Sequence, residues 1–327
     1  MIRFKVTYLT TEDISSGLFA SQVLTPIKRM AEIDPNREFL IFVINRPWKY
    51  FNHRKILRDI NKSFSLKKNI SLKYIPLLPP LKNVTRSKLL SNFVIKYISF
   101  LLFLFTKREI TLYHARGYFD CAAGLSANLK PMIFEPRSLW NLENVAMGTI
   151  LEGSRAELYW TKIEKMCSVE SNKVISINEQ MAHYLNQKYN LYMKNIVIPI
   201  SYCDQNFSYR LDKRKELREK FFLNNKKVFV YSGSLGMTKI GMNSLIKIIL
   251  KLKEAFSDSY FLFLTPTYES KLIHAITSKV GLNETNSKLI HPSFSEITNY
   301  LSAADYGYHA LPIQPDSFSR MGTKIVE

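Results

Sequence analysis

Five short stretches of this 327-residue sequence set cations, carboxylates, a histidine and glycines at spacings suited to an anion or a sugar hydroxyl. In YHARG, His114 and Arg116 stand two apart behind the β-rich run ITLY, so strand alternation puts both on one face. An imidazole can donate to or accept from a hydroxyl, and a guanidinium can bind phosphate through two parallel hydrogen bonds. FEPRSLWNLE repeats the spacing with Glu135 and Arg137, which either address the same cleft or pair with each other; Arg137 is the stronger candidate for a ligand contact. In TEDISSG, Gly17 permits close backbone approach next to a helix whose N-terminus offers free N–H groups and the positive end of its dipole. In YSGSLGMTK, Gly233 and Gly236 follow a strand and precede a helix, a phosphate-cradling loop to which Lys239 can add charge. This is not the dinucleotide fingerprint, since no G-x-G-x-x-G is present. In RMGTKIVE, Arg320 and Lys324 supply cations and Glu327 an acceptor suited to a ribose diol.

Other chemistries lack their residues. The sequence has no paired-carboxylate motif of hydrolase type, no G-x-S-x-G, no H-E-x-x-H and no D-x-D. Cys121, Cys167 and Cys203 are few, odd in number and far apart, which suggests neither a disulfide framework nor a zinc site. The expectation is group transfer without a metal or a cofactor, in which binding and electrostatics supply most of the catalysis.

The elements that must position these residues alternate between β-rich and helical, the pattern of an α/β protein with parallel sheets. FKVTYLT, REFLIFVIN, ITLYHAR, PMIFEPRS, KVISIN and NIVIPI read as strands. Helices are expected over SGLFASQVLTPIKRMAEI, CAAGLSANL, Arg155 to Val169, and EQMAHYLNQKY with Asn178 as its N-cap. A polar, charged passage, SYCDQNFSYRLDKRKELREKFF, marks a domain boundary. Beyond it KKVFVYSGS, YFLFLTP, KLIHPS and YGYHALPI are strands, with helices over MNSLIKIILKLKEAF, ESKLIHAITSKVG and SEITNYLSAA. The expected architecture is two tandem Rossmann-like domains, 1–204 and 205–327, the second stopping before its end.

The formal net charge is +19, and the excess is concentrated. From Arg46 to Arg108 there are fifteen Lys or Arg and one acidic residue, Asp59, so this window carries +14 of it. Such a surface suits phosphate-rich partners, nucleic acid or an anionic membrane. No zinc-finger spacing, RRM-like aromatic motif or helix-turn-helix accompanies the charge, which ranks membrane above nucleic acid. LLSNFVIKYISFLLFLF, Leu89 to Phe105, is apolar almost throughout, and at seventeen residues is at the lower limit of the roughly 17–25 that span a bilayer. It is read as a helix that either lies against a membrane or is buried in the core, with a true span the weakest alternative. The N-terminus enters a strand pattern without a signal-peptide cleavage region, so cytoplasm is the expected compartment.

Taken in order, ISSG, YHARG, FEPRSLWNLE, KVISINEQM, IPISYCDQNF, VYSGSLG, EITNYLSAADYG and SFSRMGTKIVE resemble the GT-B glycosyltransferases of family 4, especially the bacterial enzymes that build lipopolysaccharide, capsule and other cell-surface polysaccharides. The resemblance covers nearly the whole chain. It implies two Rossmann-like domains facing a cleft, the second holding a UDP- or GDP-sugar and the first a lipid-linked or polysaccharide acceptor. It places Gly233, Ser234, Gly236 and Lys239 near the donor diphosphate, and Arg320 and Lys324 near the phosphates and sugar. Glu327 then binds the ribose hydroxyls, while Gly17 and His114 approach the transferred sugar, with Arg116, Glu135 and Arg137 on the acceptor side. His114, Arg320 and Lys324 are the residues implied as catalytic. Two departures bear on this. Family members often carry an acid eight positions before the final Glu, where this chain has Ser319, and Ile240 separates Lys239 from Gly241. The family normally continues past that Glu, so the sequence is expected to stop inside the nucleotide-binding helix. The resemblance leaves open a nucleotide-sugar 2-epimerase of the same fold, or an inactive membrane-associated remnant. The expected location is peripheral, on the inner face of the cytoplasmic membrane.

Overall fold

Strict alternation of apolar residues along the first strands decides the architecture. Along Glu38–Asn45, Phe39, Ile41 and Val43 enter one hydrophobic cluster, while Leu40, Phe42 and Ile44 enter another. A strand buried on both faces needs helices on both, which is the doubly wound solution. The computed structural model describes residues 5–46, 50–51, 53–65, 69–76, 84–106, 111–200, 207–234, 239–293 and 295–309. The chain divides after Ile200 into two compact units.

The first unit has strands β1 (Lys5–Thr10), β2 (Glu38–Asn45), β3 (Ile70–Pro76), β4 (Thr111–Arg116), β5 (Met132–Glu135), β6 (Lys173–Ser176) and β7 (Asn195–Val197). They form one sheet in the order β3-β2-β1-β4-β5-β6-β7 with every pairing parallel. The order reverses between β1 and β4, which creates the crevice where such sheets bind ligands. One face is covered by α1 (Gly17–Phe19), a π turn (Ala20–Leu24), α2 (Thr25–Ile33) and α3 (Arg54–Ser65). The other is covered by α4 (Lys88–Phe105), α5 (Tyr118–Ser126), α7 (Arg155–Glu170) and α8 (Glu179–Tyr189), with the short α6 (Trp140–Ala146) between α5 and α7 in the chain. Asn178 caps α8, its side chain accepting from the Met181 amide at 2.8 Å.

The second unit repeats the plan with β8 (Lys227–Ser232), β9 (Ser259–Leu264), β10 (Ser287–Ile290) and β11 (Tyr306–Gly307) in the parallel order β10-β9-β8-β11. Its helices are α9 (Leu211–Lys220), α10 (Lys239–Ala255), α11 (Ser270–Lys279) and α12 (Ile297–Ala303). Helix α9 lies within the polar passage read as a boundary. It is highly charged, yet Arg214 and Arg218 are consumed in ion pairs with Asp305, whose carboxylate also accepts from the Val228 amide at 2.9 Å. The fold is the α/β arrangement of two tandem Rossmann-like domains expected from the sequence.

Three local differences have physical causes. The helix expected over 16–33 is interrupted by the π turn, because Pro26 has no N–H to return to the Gln22 carbonyl. The strand read over 195–200 is registered with β6 over Asn195–Val197 and ends once the Ile198 amide has donated to the Ser176 carbonyl at 2.9 Å, since Pro199 has no N–H to continue the ladder. Leu89 to Phe105 is neither wholly buried nor free of the core. Ser91, Val94, Ile95, Ile98 and Leu102 form a buried stripe at helical spacing, whereas Phe93, Phe100, Phe103 and Leu104 face outward and are more than half exposed. Among the described residues it is the one helix long and apolar enough to cross a membrane.

Helix α5 lies close on the sheet because Gly124 lacks a side chain: an added Cβ would come within 2.6 Å of the Met132 methyl and 3.3 Å of Leu9. Both neighbours are fully buried. Gly124→Leu is therefore expected to destabilise the first unit by about 2–3 kcal/mol, the cost of overpacking a dense core. A denaturant titration followed by hydrogen exchange on β1 and β5 measures it.

Candidate functional site

Tyr8, His114, Arg116 and Glu135 meet at the carboxyl ends of β1, β4 and β5, on the sheet face covered by α1 and α2. Register explains the meeting: Tyr8 is opposite His114, and Arg116 is opposite Glu135. Glu135 is the hub. Its Oε2 accepts from the Tyr8 hydroxyl at 3.1 Å and contacts His114 Nε2 at 2.9 Å, and its Oε1 lies 3.7 Å from Arg116 Nε. The Tyr8 and His114 rings are 4.2 Å apart. Arg116 also donates to the Gln22 carbonyl, to which Pro26, four residues on, has no N–H to give.

The electrostatics follow from burial. Withdrawal from water would raise the Glu135 carboxyl, but the Arg116 guanidinium, the His114 hydrogen bond and charge, and the Tyr8 hydroxyl outweigh it and hold the group below its ordinary range. The Tyr8 phenol is pushed well up, first by burial and then by Glu135, so it stays a neutral donor. An ionised Glu135 only accepts, so His114 Nε2 carries a proton. In the neutral ring that makes Nδ1 an acceptor.

Arg137 is not among the partners of Glu135. It forms an ion pair with Glu12 in the loop after β1. Its backbone lies in the left-handed region, φ +59°, which is uncommon for a residue with a Cβ. Gly17 begins α1 behind Ser16, whose hydroxyl accepts from the Phe19 amide at 3.0 Å. Arg116, Glu135, His114 and Arg137 thus line one edge of the first unit together with the β1 loop.

Two residues here were missed from sequence. Tyr8 sits on the same strand face as Thr10 and could have been found by alternation. Asp120, in the first turn of α5, is completely buried, and its Oδ2 accepts from the Thr11 amide at 3.2 Å and the Thr11 hydroxyl at 3.4 Å, while Oδ1 has no partner among the described residues. Burial pushes its carboxyl up to about 8, against the lowering effect of the two Thr11 bonds. It therefore fixes the loop that leaves β1 as a neutral acid.

In the second unit Gly233 follows β8 with φ +128°, a conformation that requires glycine, and its amide donates to the Leu264 carbonyl at 2.9 Å. Ser234 donates to Glu269, a buried carboxylate that sequence reading passed over. Lys239 begins α10; its side chain lies outside the described residues, as do Gly236, Arg320, Lys324 and Glu327. No cluster of three or more His, Cys, Asp or Glu that could hold a metal ion occurs among the described residues.

No family model matches the chain, and no curated protein matches it in sequence. Its fold is nonetheless shared with solved structures. Sucrose-phosphate synthase from Thermosynechococcus elongatus superposes over 95% of this chain and 77% of its own, with TM-score 0.66 at 13% identity. HepE of Anabaena, in complex with UDP-glucose, does so over 93% and 73%, with TM-score 0.60 at 12% identity. UDP-GlcNAc 2-epimerase from Neisseria meningitidis, bound to UDP-GlcNAc, does so over 93% and 76%, with TM-score 0.52 at 15% identity. At these identities the likeness concerns fold alone, and the fold is of the GT-B class.

An unfolded Asp titrates near 4, so between about pH 4 and 8 the folded chain holds a proton on Asp120 that the unfolded chain has lost. The stability this proton contributes is complete below about pH 4 and declines as pH rises toward 8, by up to about 1.4 kcal/mol per unit. Asp120→Asn, which keeps the shape of the neutral acid, should gain on the wild type steadily between pH 5 and 8. Urea midpoints across that range measure the divergence, and parallel curves would show that Asp120 carries no proton.

Proposed function

We propose that this protein is a glycosyltransferase that uses a nucleotide-diphosphate sugar. The observation that carries the reading is the Tyr8–His114–Arg116–Glu135 cluster at the strand-order reversal of a Rossmann-like sheet. A second such sheet, with a glycine loop at the end of β8, supplies the place for a diphosphate. The fold likeness to sucrose-phosphate synthase and to HepE in complex with UDP-glucose supports it.

In this reading the second unit binds the donor. Gly233, Ser234 and Gly236 approach the diphosphate, Lys239, Arg320 and Lys324 neutralise the charge that develops on it, and Glu327 takes the ribose hydroxyls. Stabilising the leaving diphosphate is the main catalytic task, and fixed cations and N–H groups do it without reorganisation. The first unit presents the acceptor, with His114 held by Glu135 so that its ring meets a hydroxyl of the transferred sugar. Gly17 lets that sugar approach the backbone, and Arg116 and Arg137 are the acceptor-side cations. The finer proposal is a retaining, metal-independent enzyme of family 4 that extends a lipid-linked saccharide in cell-surface polysaccharide synthesis. Its place is the inner face of the cytoplasmic membrane, bound peripherally through the cations of region 46–108 and the outward face of α4.

A second reading, a nucleotide-sugar 2-epimerase, is favoured by the fold likeness to UDP-GlcNAc 2-epimerase. Incubating the protein with UDP- and GDP-sugars separates the two. Transfer to a saccharide acceptor with release of the nucleotide diphosphate supports the first, whereas a new epimer formed without acceptor supports the second. One of the nucleotides is expected to raise the thermal midpoint selectively; if none does, nucleotide-sugar binding is wrong. His114→Ala should lower turnover by roughly 100-fold with little change in nucleotide affinity, as for loss of one oriented hydrogen-bonding group. Neutralising several cations between Arg46 and Arg108 should abolish binding to vesicles rich in anionic lipid, and unchanged binding would refute the membrane part.

A further inference from the structure

A second concavity lies at the edge of the seven-stranded sheet, away from the cluster around Glu135. β3 is the terminal strand, and a cavity of about 580 Å³ is lined by residues of α3, β2 and β3, within the roughly 300–1,000 Å³ of small-molecule sites. Its floor is apolar: Phe42, Leu57 and Ile75 are all buried. Its polar wall is cationic. Arg54 and Arg58 are one helical turn apart on α3, Lys73 comes from β3, and among the described residues no carboxylate lines the space. Two like charges at that spacing repel each other, and among the described residues no ion pair offsets Arg54, Arg58 or Lys73. An anion would.

The rim is aromatic and ordered by contact. The Arg54 guanidinium lies over the Tyr50 and Phe51 rings at 5.7 and 4.6 Å, and the Tyr50 and Tyr74 rings are 5.1 Å apart. Burial, then the charge of Asp13, pushes the Tyr74 phenol up to about 12, so it keeps its proton and donates a hydrogen bond to the Arg46 carbonyl at 2.6 Å. Phe105, the last residue of α4, also lines the cavity and is half exposed, next to the exposed Leu104 and Phe103. A cationic wall, an apolar floor and a half-exposed apolar residue at the border match an amphiphile with a phosphate at one end.

We propose that this cavity binds the phosphate end of a phosphorylated lipid, with Arg54, Arg58 and Lys73 on the phosphate and the hydrocarbon chain leaving over Phe105 onto α4. The proposal rests on the membrane-surface reading above, since the chain must arrive from a bilayer. It also gives that surface an address within the fold. Tyr74 holds the Arg46 carbonyl, the Arg46 amide donates to Asn45 Oδ1 at 2.8 Å, and Asn45 Nδ2 donates to the Thr11 and Glu12 carbonyls at 3.4 Å each. Glu12 in turn holds Arg137. A lipid phosphate in the cavity therefore sits one hydrogen-bonded path away from the loop after β1.

The test is a binding titration of the full chain with farnesyl phosphate below its aggregation concentration, beside farnesol and inorganic phosphate. Farnesyl phosphate should bind saturably. The Arg54→Gln/Arg58→Gln double variant should bind it at least roughly tenfold more weakly, as expected when charged hydrogen bonds to a phosphate are removed, with an unchanged thermal midpoint. Lys73→Gln, on the strand, should weaken binding in the same direction. Equal affinity in the variants, equal binding by farnesol, or full displacement by inorganic phosphate at matched concentration would each overturn the proposal. Anionic vesicles separate it from the reading it rests on. Vesicle binding without farnesyl phosphate binding refutes the cavity and leaves the membrane surface standing; farnesyl phosphate binding without vesicle binding supports the cavity and refutes the membrane surface.

Discussion

A carboxylate mostly withdrawn from water must be neutralised where it stands, and Glu135 sets that condition for the first unit. It stays ionised because Arg116, His114 and Tyr8 reach it from two neighbouring strands. That requires β1, β4 and β5 to be adjacent and in register at their carboxyl ends, and it requires Tyr8, His114 and Glu135 to share a face. The same alternation sends Leu9, Tyr113, Ala115 and Phe134 into the opposite core. A slip of one residue would exchange the two sets, placing charge among Trp160, Ile98 and Leu102. The apolar pattern and the polar cluster therefore specify one register between them.

The two units share a strand order and differ in what they set at its reversal. In the first, side chains of both signs crowd the edge and are matched with one another. In the second, the chain turns away from β8 through Gly233, whose φ of +128° no other residue adopts readily. Glu269, buried beneath that turn, holds Ser234 in place. The proposed transfer reaction assigns the two edges to different partners, a diphosphate to the second unit and a polyol to the fixed donors and acceptors of the first.

Most of the secondary structure was legible because burial on two faces writes a clear pattern: the strands of both sheets other than β3, the Asn178 cap and α10 follow from it. What escaped lies where charge masks the pattern. Helix α3 carries Arg54, Lys55, Arg58 and Lys62 around Leu57 and Phe64, and the edge strand β3 is half polar, so neither stood out of the basic window. Helix α9 was hidden by the cations it spends on Asp305. Among site residues, the two-residue spacings of His114 with Arg116 and of Glu135 with Arg137 were visible. Their partners were not, since Glu12 and Tyr8 are brought by parallel pairing from more than a hundred residues away. The interruption of the first helix was written in Pro26, but its acceptor was not.

That interruption ties two distant positions together. Pro26 withholds a donor from the Gln22 carbonyl, and Arg116 supplies one from across the sheet. The buried guanidinium needs acceptors, and this carbonyl, which Pro26 cannot reach with an N–H, is one of them. A lineage that replaced Pro26 with an ordinary helix former would weaken Arg116's claim on that oxygen and loosen its hold beside Glu135. Positions 26 and 116 should therefore be inherited as a pair, and divergence at one should open the other to change.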